Sequence, residues 1–125
     1  MIIQIERVYE TDKTSSATRF LVDRLWPRGI KTGGIEMTAW LKDVAPSNEL
    51  RKWFNHDPAK WKTFQSRYFA ELDEKPDSLA PLFEACKKGP VVLLFGARDK
   101  EHNQAVALKK YLEAHKGKTA RRQPD

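Results

Sequence analysis

Two short stretches concentrate the side chains able to do chemistry. Asp23-Arg24-Leu25-Trp26-Pro27-Arg28-Gly29 follows the apolar run Phe20-Leu21-Val22, and Gly96-Ala97-Arg98-Asp99 follows Val91 to Phe95, with His102 and Asn103 close behind. Planar guanidinium groups such as Arg24 and Arg28 grip a phosphate or carboxylate through paired N–H donors, and Trp26 offers a flat face beside them. Asp23 and Asp99 are candidates to accept a hydrogen bond from a ligand hydroxyl or amine, or to act as a carboxylate base. His102, expected at the start of a helix, would be held neutral by the helix dipole and could exchange a proton. Asn103 can engage a ligand through both functions of its amide, Arg98 can neutralise Asp99, and Lys42 beside Trp40 is a further candidate. The catalytic candidates are therefore Asp23, Asp99 and His102, and the ligand-binding candidates are Arg24, Trp26, Arg28, Lys42, Arg98 and Asn103.

Each has a plainer alternative. Trp26 can pack in the core, Arg24 can pair with Asp23 or Glu6, Asp99 can simply cap a helix, and His102 and Lys42 can be ordinary surface residues. If Asp99 opens the last helix, a second anion about 4 Å away would be repelled by roughly 1 to 4 kcal/mol, so a ligand phosphate is expected on the arginines instead.

Several sharper chemistries fail on spacing. Gly96 stands alone, so neither a dinucleotide fingerprint nor a phosphate-cradling glycine loop ending in lysine is present, and no Gly-x-Ser-x-Gly elbow occurs. Cys86 has Val92 six positions later, where a cysteine phosphatase loop would place arginine, and it shares a stripe with Leu79, Leu82 and Phe83, which marks it as packing. His56, His102 and His115 are scattered without paired ligand spacing. No metal and no cofactor is expected. Trp53, Trp61 and Phe64 recur at helical spacing and read as core rather than as stacking platforms.

The elements that must position these residues follow from periodicity. Ile3 and Ile5 alternating with Gln4 and Glu6 predict a half-buried strand over 2–8, and further strands are expected over 19–23 and 91–95. Proline at 27 and glycine at 29 fit a type I turn over Trp26 to Gly29. The segment 35–45 is ambiguous between helix and strand. Ser47 is the expected cap of a helix bearing Leu50, Trp53 and Phe54. Asp57-Pro58 marks the start of a helix with the stripe Trp61, Phe64, Tyr68 and Leu72, and Asp77 the cap of a helix that ends at Gly89-Pro90. Asp99 is expected to open a last helix carrying Ala105, Leu108 and Leu112. A helix, a buried strand and a helix in succession indicate an α/β fold: a small, mainly parallel sheet with flanking helices and a helical middle segment.

The chain has 125 residues and 40% apolar content, enough for one core. A single α/β domain over 1–115 is expected, followed by a basic, disordered tail over 116–125. The net charge of +6 suggests nucleic acid until it is located. Lys116, Lys118, Arg121 and Arg122 against Asp125 place half of that excess in the last ten residues, with no aromatic interleaved. The longest apolar run is far shorter than the roughly 20 residues of a bilayer span, the start lacks an export signal, and the lone cysteine suits a reducing compartment. A cytoplasmic protein with no membrane partner is the expectation.

As a set, these motifs resemble the YeaO-like family, small bacterial proteins of a domain-of-unknown-function group. The resemblance rests on Arg7-Val8-Tyr9, Asp23 to Gly29, Trp40 with Lys42, Ala45-Pro46-Ser47, Leu50-Arg51, His56-Asp57-Pro58, Arg67-Tyr68, Leu93-Leu94 running into Gly96-Ala97-Arg98-Asp99, and His102-Asn103 with Ala105. It implies a compact α/β protein, bacterial and cytoplasmic, and supplies no activity, substrate or cofactor. Phe95 stands where that pattern has tyrosine, which removes a hydroxyl from the end of the strand.

The function expected from these residues is the binding of a small anionic ligand, nucleotide-like or a phosphorylated metabolite, at the carboxyl ends of two strands. Hydrolase or transferase chemistry is left open. The alternative is a nucleic-acid-associated or regulatory module in which the basic tail makes weak phosphate contacts.

Overall fold

The structure is a computed structural model that describes residues 1–10 and 17–115. The chain runs β1 (Ile3–Arg7), β2 (Thr18–Leu21), β3 (Ala39–Trp40), α1 (Asn48–Phe54), α2 (Trp61–Asp73), α3 (Pro76–Lys88), β4 (Val91–Phe95) and α4 (Gln104–Ala114), with 3-10 turns at Lys42–Val44 and Pro58–Lys60. The strands form one sheet in the order β1-β4-β2-β3, and every pairing is parallel. The α/β expectation with a helical middle holds. The basic tail falls outside the described residues.

Strand β4 lies between β1 and β2, and it is apolar over five consecutive positions. All five of its residues are buried, as a parallel strand covered on both faces requires. Its register against β1 runs from Ile3 opposite Val91 to Arg7 opposite Phe95, and Phe20 and Leu21 of β2 sit opposite Leu93 and Leu94. Side chains alternate between faces. Val91, Leu93 and Phe95, with Ile3, Phe20 and Val22, face a core built with all four helices. Val92, Leu94, Leu21 and Val8 face the other way, where Ile35 and the half-buried Trp26, Trp40, Ile30 and Met37 cover them. One face is thus covered by helices and the other largely by the segment between β2 and β3, which holds both tryptophans down as packing residues.

The local starts and stops are legible in residue type. Ser47 caps α1, its hydroxyl accepting the Leu50 N–H at 3.1 Å, and Glu71 of α2 clamps that cap by accepting the Ser47 N–H at 2.8 Å and its O–H at 2.6 Å. Asp57 caps the turn leading into α2, whose Phe64, Tyr68 and Leu72 are buried as their spacing predicts. Three details differ from expectation. Helix α3 begins at Pro76, so Asp77 lies in its first turn rather than capping it. The ambiguous segment resolves into the two-residue strand β3 and a 3-10 turn. The turn after Pro27 falls on Arg28 and Gly29, where Gly29 takes φ 79°, a left-handed conformation that glycine adopts without steric cost.

Candidate functional site

The exits of three strands converge. From the end of β2, Asp23 reaches across to β4, its Oδ2 accepting the Gly96 N–H at 3.0 Å, and its Oδ1 accepts from the side-chain amide of Gln104 at the start of α4. From the end of β1, Arg7 Nε donates to the Ala97 carbonyl at 2.9 Å, and the Tyr9 hydroxyl donates to the Arg28 carbonyl at 2.7 Å. A Cβ added at Gly96 would lie 3.0 Å from Asp23 Oδ2 and 3.5 Å from Pro27, so a larger residue here would require the Asp23 carboxylate to shift by a few tenths of an ångström.

These contacts enclose a cleft of about 290 Å³. Its polar wall includes Asp23, Arg24, Arg28, Arg51, His56, Asn103 and Gln104, and Pro27, Pro46, Phe54 and Phe64 supply much of the apolar wall. Leu25 stands 59% exposed at the lip. Three guanidiniums therefore share the space with one carboxylate, and none of the three forms an ion pair among the described residues. Arg24 is anchored through Nε to the Pro46 carbonyl at 2.9 Å and through Nη2 to the Ala45 carbonyl at 3.1 Å, which ties the β2 exit to the entry of α1. Arg51 makes only a long contact to Asn48 Oδ1 at 3.4 Å, and its buried Nε–H has no hydrogen-bond partner. A buried N–H left unpaired costs about 1 to 3 kcal/mol, more on a charged group.

Among the described residues, Asp23 is the only carboxylate on the wall. Burial pushes its pKa up to about 6, against the opposing influence of the Gly96 and Gln104 hydrogen bonds. A carboxylic acid raised this far destabilises the fold once it ionises, and such costs are retained preferentially at functional sites.

Of the residues singled out by sequence, the cleft gathers Asp23, Arg24, Trp26, Arg28 and Asn103. Arg24 pairs with neither Asp23 nor Glu6 but with backbone carbonyls, and Trp26 donates to the Ile30 carbonyl at 2.7 Å while its ring meets Trp40 edge-on. Lys42, Arg98, Asp99 and His102 lie outside the walls. Lys42 sits 4.4 Å over the Trp40 ring in a separate groove of about 460 Å³ with Asp77 and Pro81. Arg98 is exposed and forms no ion pair with Asp99.

The expectation that Asp99 opens the last helix is corrected. Its Oδ1 accepts the Glu101 and His102 N–H groups at 2.9 and 3.0 Å, and its Oδ2 meets His102 Nδ1 at 2.9 Å, so its acceptors are consumed by a turn that precedes the helix. Those bonds, the Glu101 N–H first and His102 after it, hold its carboxyl below the usual range. Asn103 is the true cap: only 2% exposed, it accepts the Val106 N–H at 3.0 Å and donates to the Asp99 carbonyl at 2.9 Å. His102 therefore precedes α4, its ring set edge-on against Trp61 at 5.3 Å. The repulsion assigned to Asp99 does not act in the cleft, because α4 presents neutral Asn103 and Gln104 there.

Arg51, His56 and Gln104 are wall residues that spacing did not single out. The first two appear within the Leu50-Arg51 and His56-Asp57-Pro58 motifs, and the signal that could have flagged them is conformational. Asn55 and His56 both take positive φ, 45° and 54°, a left-handed pair that ends α1 and turns His56 toward the cleft.

Residues 2–124 match the family described as the inactive DUF488-N3 subclade. The chain is 40% identical over 114 residues to the Escherichia coli K12 protein named "Uncharacterized protein YeaO", covering 91% of this chain and 99% of that one. It is 36% identical over 110 residues to "Uncharacterized protein Rv3073c" of Mycobacterium tuberculosis H37Rv and to "Uncharacterized protein Mb3100c" of Mycobacterium bovis, covering 88% of this chain and 92% of each. No solved structure matches. With a small parallel α/β sheet, these motifs and this extent of identity, the chain belongs to the YeaO-like proteins of the inactive DUF488-N3 subclade.

Proposed function

We propose that this protein binds a small anionic ligand, nucleotide-like or a phosphorylated metabolite, in the cleft at the strand exits, and does so without turning it over. The observation that carries this reading is Arg51, a half-buried arginine on the cleft wall whose Nε is buried and lacks a hydrogen-bond partner. Two further guanidiniums on the same wall, opposed by one carboxylate, make the cleft strongly attractive to an anion. Its aromatic and proline surfaces suit an apolar or planar body attached to that anion, and the neutral amides of Asn103 and Gln104 suit polar groups between the two.

Binding without turnover is favoured by what the wall lacks. Among the described residues it carries no serine, threonine or cysteine to serve as a nucleophile, and no second carboxylate to work with Asp23. The subclade's own description as inactive points the same way.

Titration calorimetry and thermal unfolding with inorganic phosphate and with AMP test this directly. The parent protein binds at least one of them and melts at a higher temperature in its presence. Arg51→Ala weakens binding by about tenfold or more, the scale of a lost charge-assisted hydrogen bond, and Arg28→Ala weakens it less. Removal of residues 116–125 leaves it unchanged. Equal affinity in parent and Arg51→Ala, or binding abolished by removing the tail, contradicts the proposal.

A further inference from the structure

Asp23 shares its cleft with three guanidiniums yet bonds to none of them. Its two oxygens accept from neutral donors of different kinds: a backbone N–H fixed by the strand exit at Gly96, and a side-chain amide that can rotate at Gln104. The charged and titratable groups around it come from five places. Arg24 and Arg28 belong to its own segment, Arg51 to α1, His56 to the link after α1, and Tyr9 to the β1 exit. From α2, the buried Tyr68 hydroxyl feels Asp23, Arg24 and Glu71, and Glu71 is itself held by Ser47. The β4 exit and α4 contribute only the neutral Gly96, Ala97, Asn103 and Gln104 to the wall.

We infer that the cleft takes up its anion together with one proton, which comes to rest on Asp23 Oδ1 as the Gln104 amide turns its oxygen to accept the new O–H. This rests on the anion-binding reading. An anion seated among the arginines lies close to a buried carboxylate, and like charges in a poorly solvated site favour protonation of one of them. The Gly96 N–H cannot turn away, so Oδ2 remains an acceptor and the proton goes to the other oxygen. Glutamine is suited to face that oxygen, since its amide offers N–H to a carboxylate or C=O to a carboxylic acid by a simple flip. The proton comes from solvent, and no covalent bond of the ligand changes. Asp23 starts from about 6, so a modest further rise brings it across neutrality. The ligand class this favours is a dianion such as a phosphomonoester, whose second charge gains most from removal of the carboxylate's charge.

The test uses sulfate, a dianion that does not itself titrate in the relevant range. Calorimetry near pH 7 in two buffers of different ionisation enthalpy gives the protons bound per sulfate, and binding at about pH 5.5 and 7.5 gives the pH profile. The parent takes up a sizeable fraction of a proton and binds about fivefold more tightly at the lower pH, as a one-unit rise in a pKa near 6 requires. Asp23→Asn removes the uptake and flattens the profile. Because histidine as a residue type also changes charge in this range, His56→Gln is measured beside it: the protons taken up per sulfate bound persist in it, whatever the substitution does to sulfate affinity. Sulfate binding with no proton uptake overturns this inference and leaves the anion site standing, as does uptake that survives Asp23→Asn and disappears in His56→Gln. Failure of the parent to bind sulfate at either pH overturns both.

Discussion

The two strand exits begin alike and end differently. Each is an apolar run that stops at aspartate and arginine, yet Asp23 finds its donors 73 and 81 residues away while Asp99 finds its donors two and three residues away. The long-range partners draw Asp23 into the body of the molecule, and burial raises its pKa to about 6. The local partners leave Asp99 in a surface turn, and their hydrogen bonds lower it. A carboxylate satisfied by its own neighbours contributes to local architecture. One satisfied across the fold becomes part of a cleft and carries the electrostatic cost of being there.

The largest effect that sharpens this contrast lies beneath both exits. Leu93→Ala in the fully buried centre of β4 should cost about 2 to 5 kcal/mol in denaturant unfolding, because it opens a cavity in the helix-covered core, whereas Leu25→Ala at the exposed lip should stay within about 0.5 kcal/mol. Comparable losses at the two positions would mean that the lip is part of the frame.

Next comes Asp23→Asn. The folded pKa lies above the unfolded value of 3.8, so the ionised carboxylate destabilises the fold above about pH 6, and that cost fades as pH falls toward about 4. The variant should therefore be more stable than the parent at pH 7.5 by roughly 1 to 3 kcal/mol and nearly equal to it near pH 4. A loss of stability at pH 7.5 would show that Asp23 is a structural anion instead.

Ser47→Ala should cost about 1 kcal/mol, since it removes the α1 cap and one of Glu71's two bonds. It should also weaken anion binding, because α1 carries Arg51. Smallest is Asp99→Asn, with the opposite sign to Asp23→Asn. Its lowered pKa means that the ionised form contributes stability above the unfolded value, lost as pH falls through the folded one, so the variant should be slightly less stable at neutral pH and match the parent in acid. Anion affinity should not change. Thermal unfolding at two pH values separates these two aspartates without any ligand.

The contrast also explains how much could be read in advance. Strand β4 was legible because five consecutive apolar residues leave no other choice, and the presence of a ligand-sized hollow at its exit follows from a parallel sheet. Strand β3 was not, since two residues carry no periodicity. Asp99 and Asn103 are both good cap residues four positions apart. Asp99 spends its oxygens on the turn that contains Glu101 and His102, and that turn leaves Asn103 to start the helix. Arg51 and Gln104 resemble ordinary helix-surface residues in sequence, and only the folded chain brings them beside Asp23 and Arg28.

The most direct measurement is an amide and side-chain NMR titration of the full chain with inorganic phosphate. The proposed anion site at the convergence of the two exits predicts that the largest shifts fall together on the Gly96, Ala97 and Asn103 amides, the Gln104 side-chain amide and the Arg51 Nε–H. Shifts confined to the Lys42 groove, or spread over surface lysines with Arg51 and Gln104 unmoved, would contradict it.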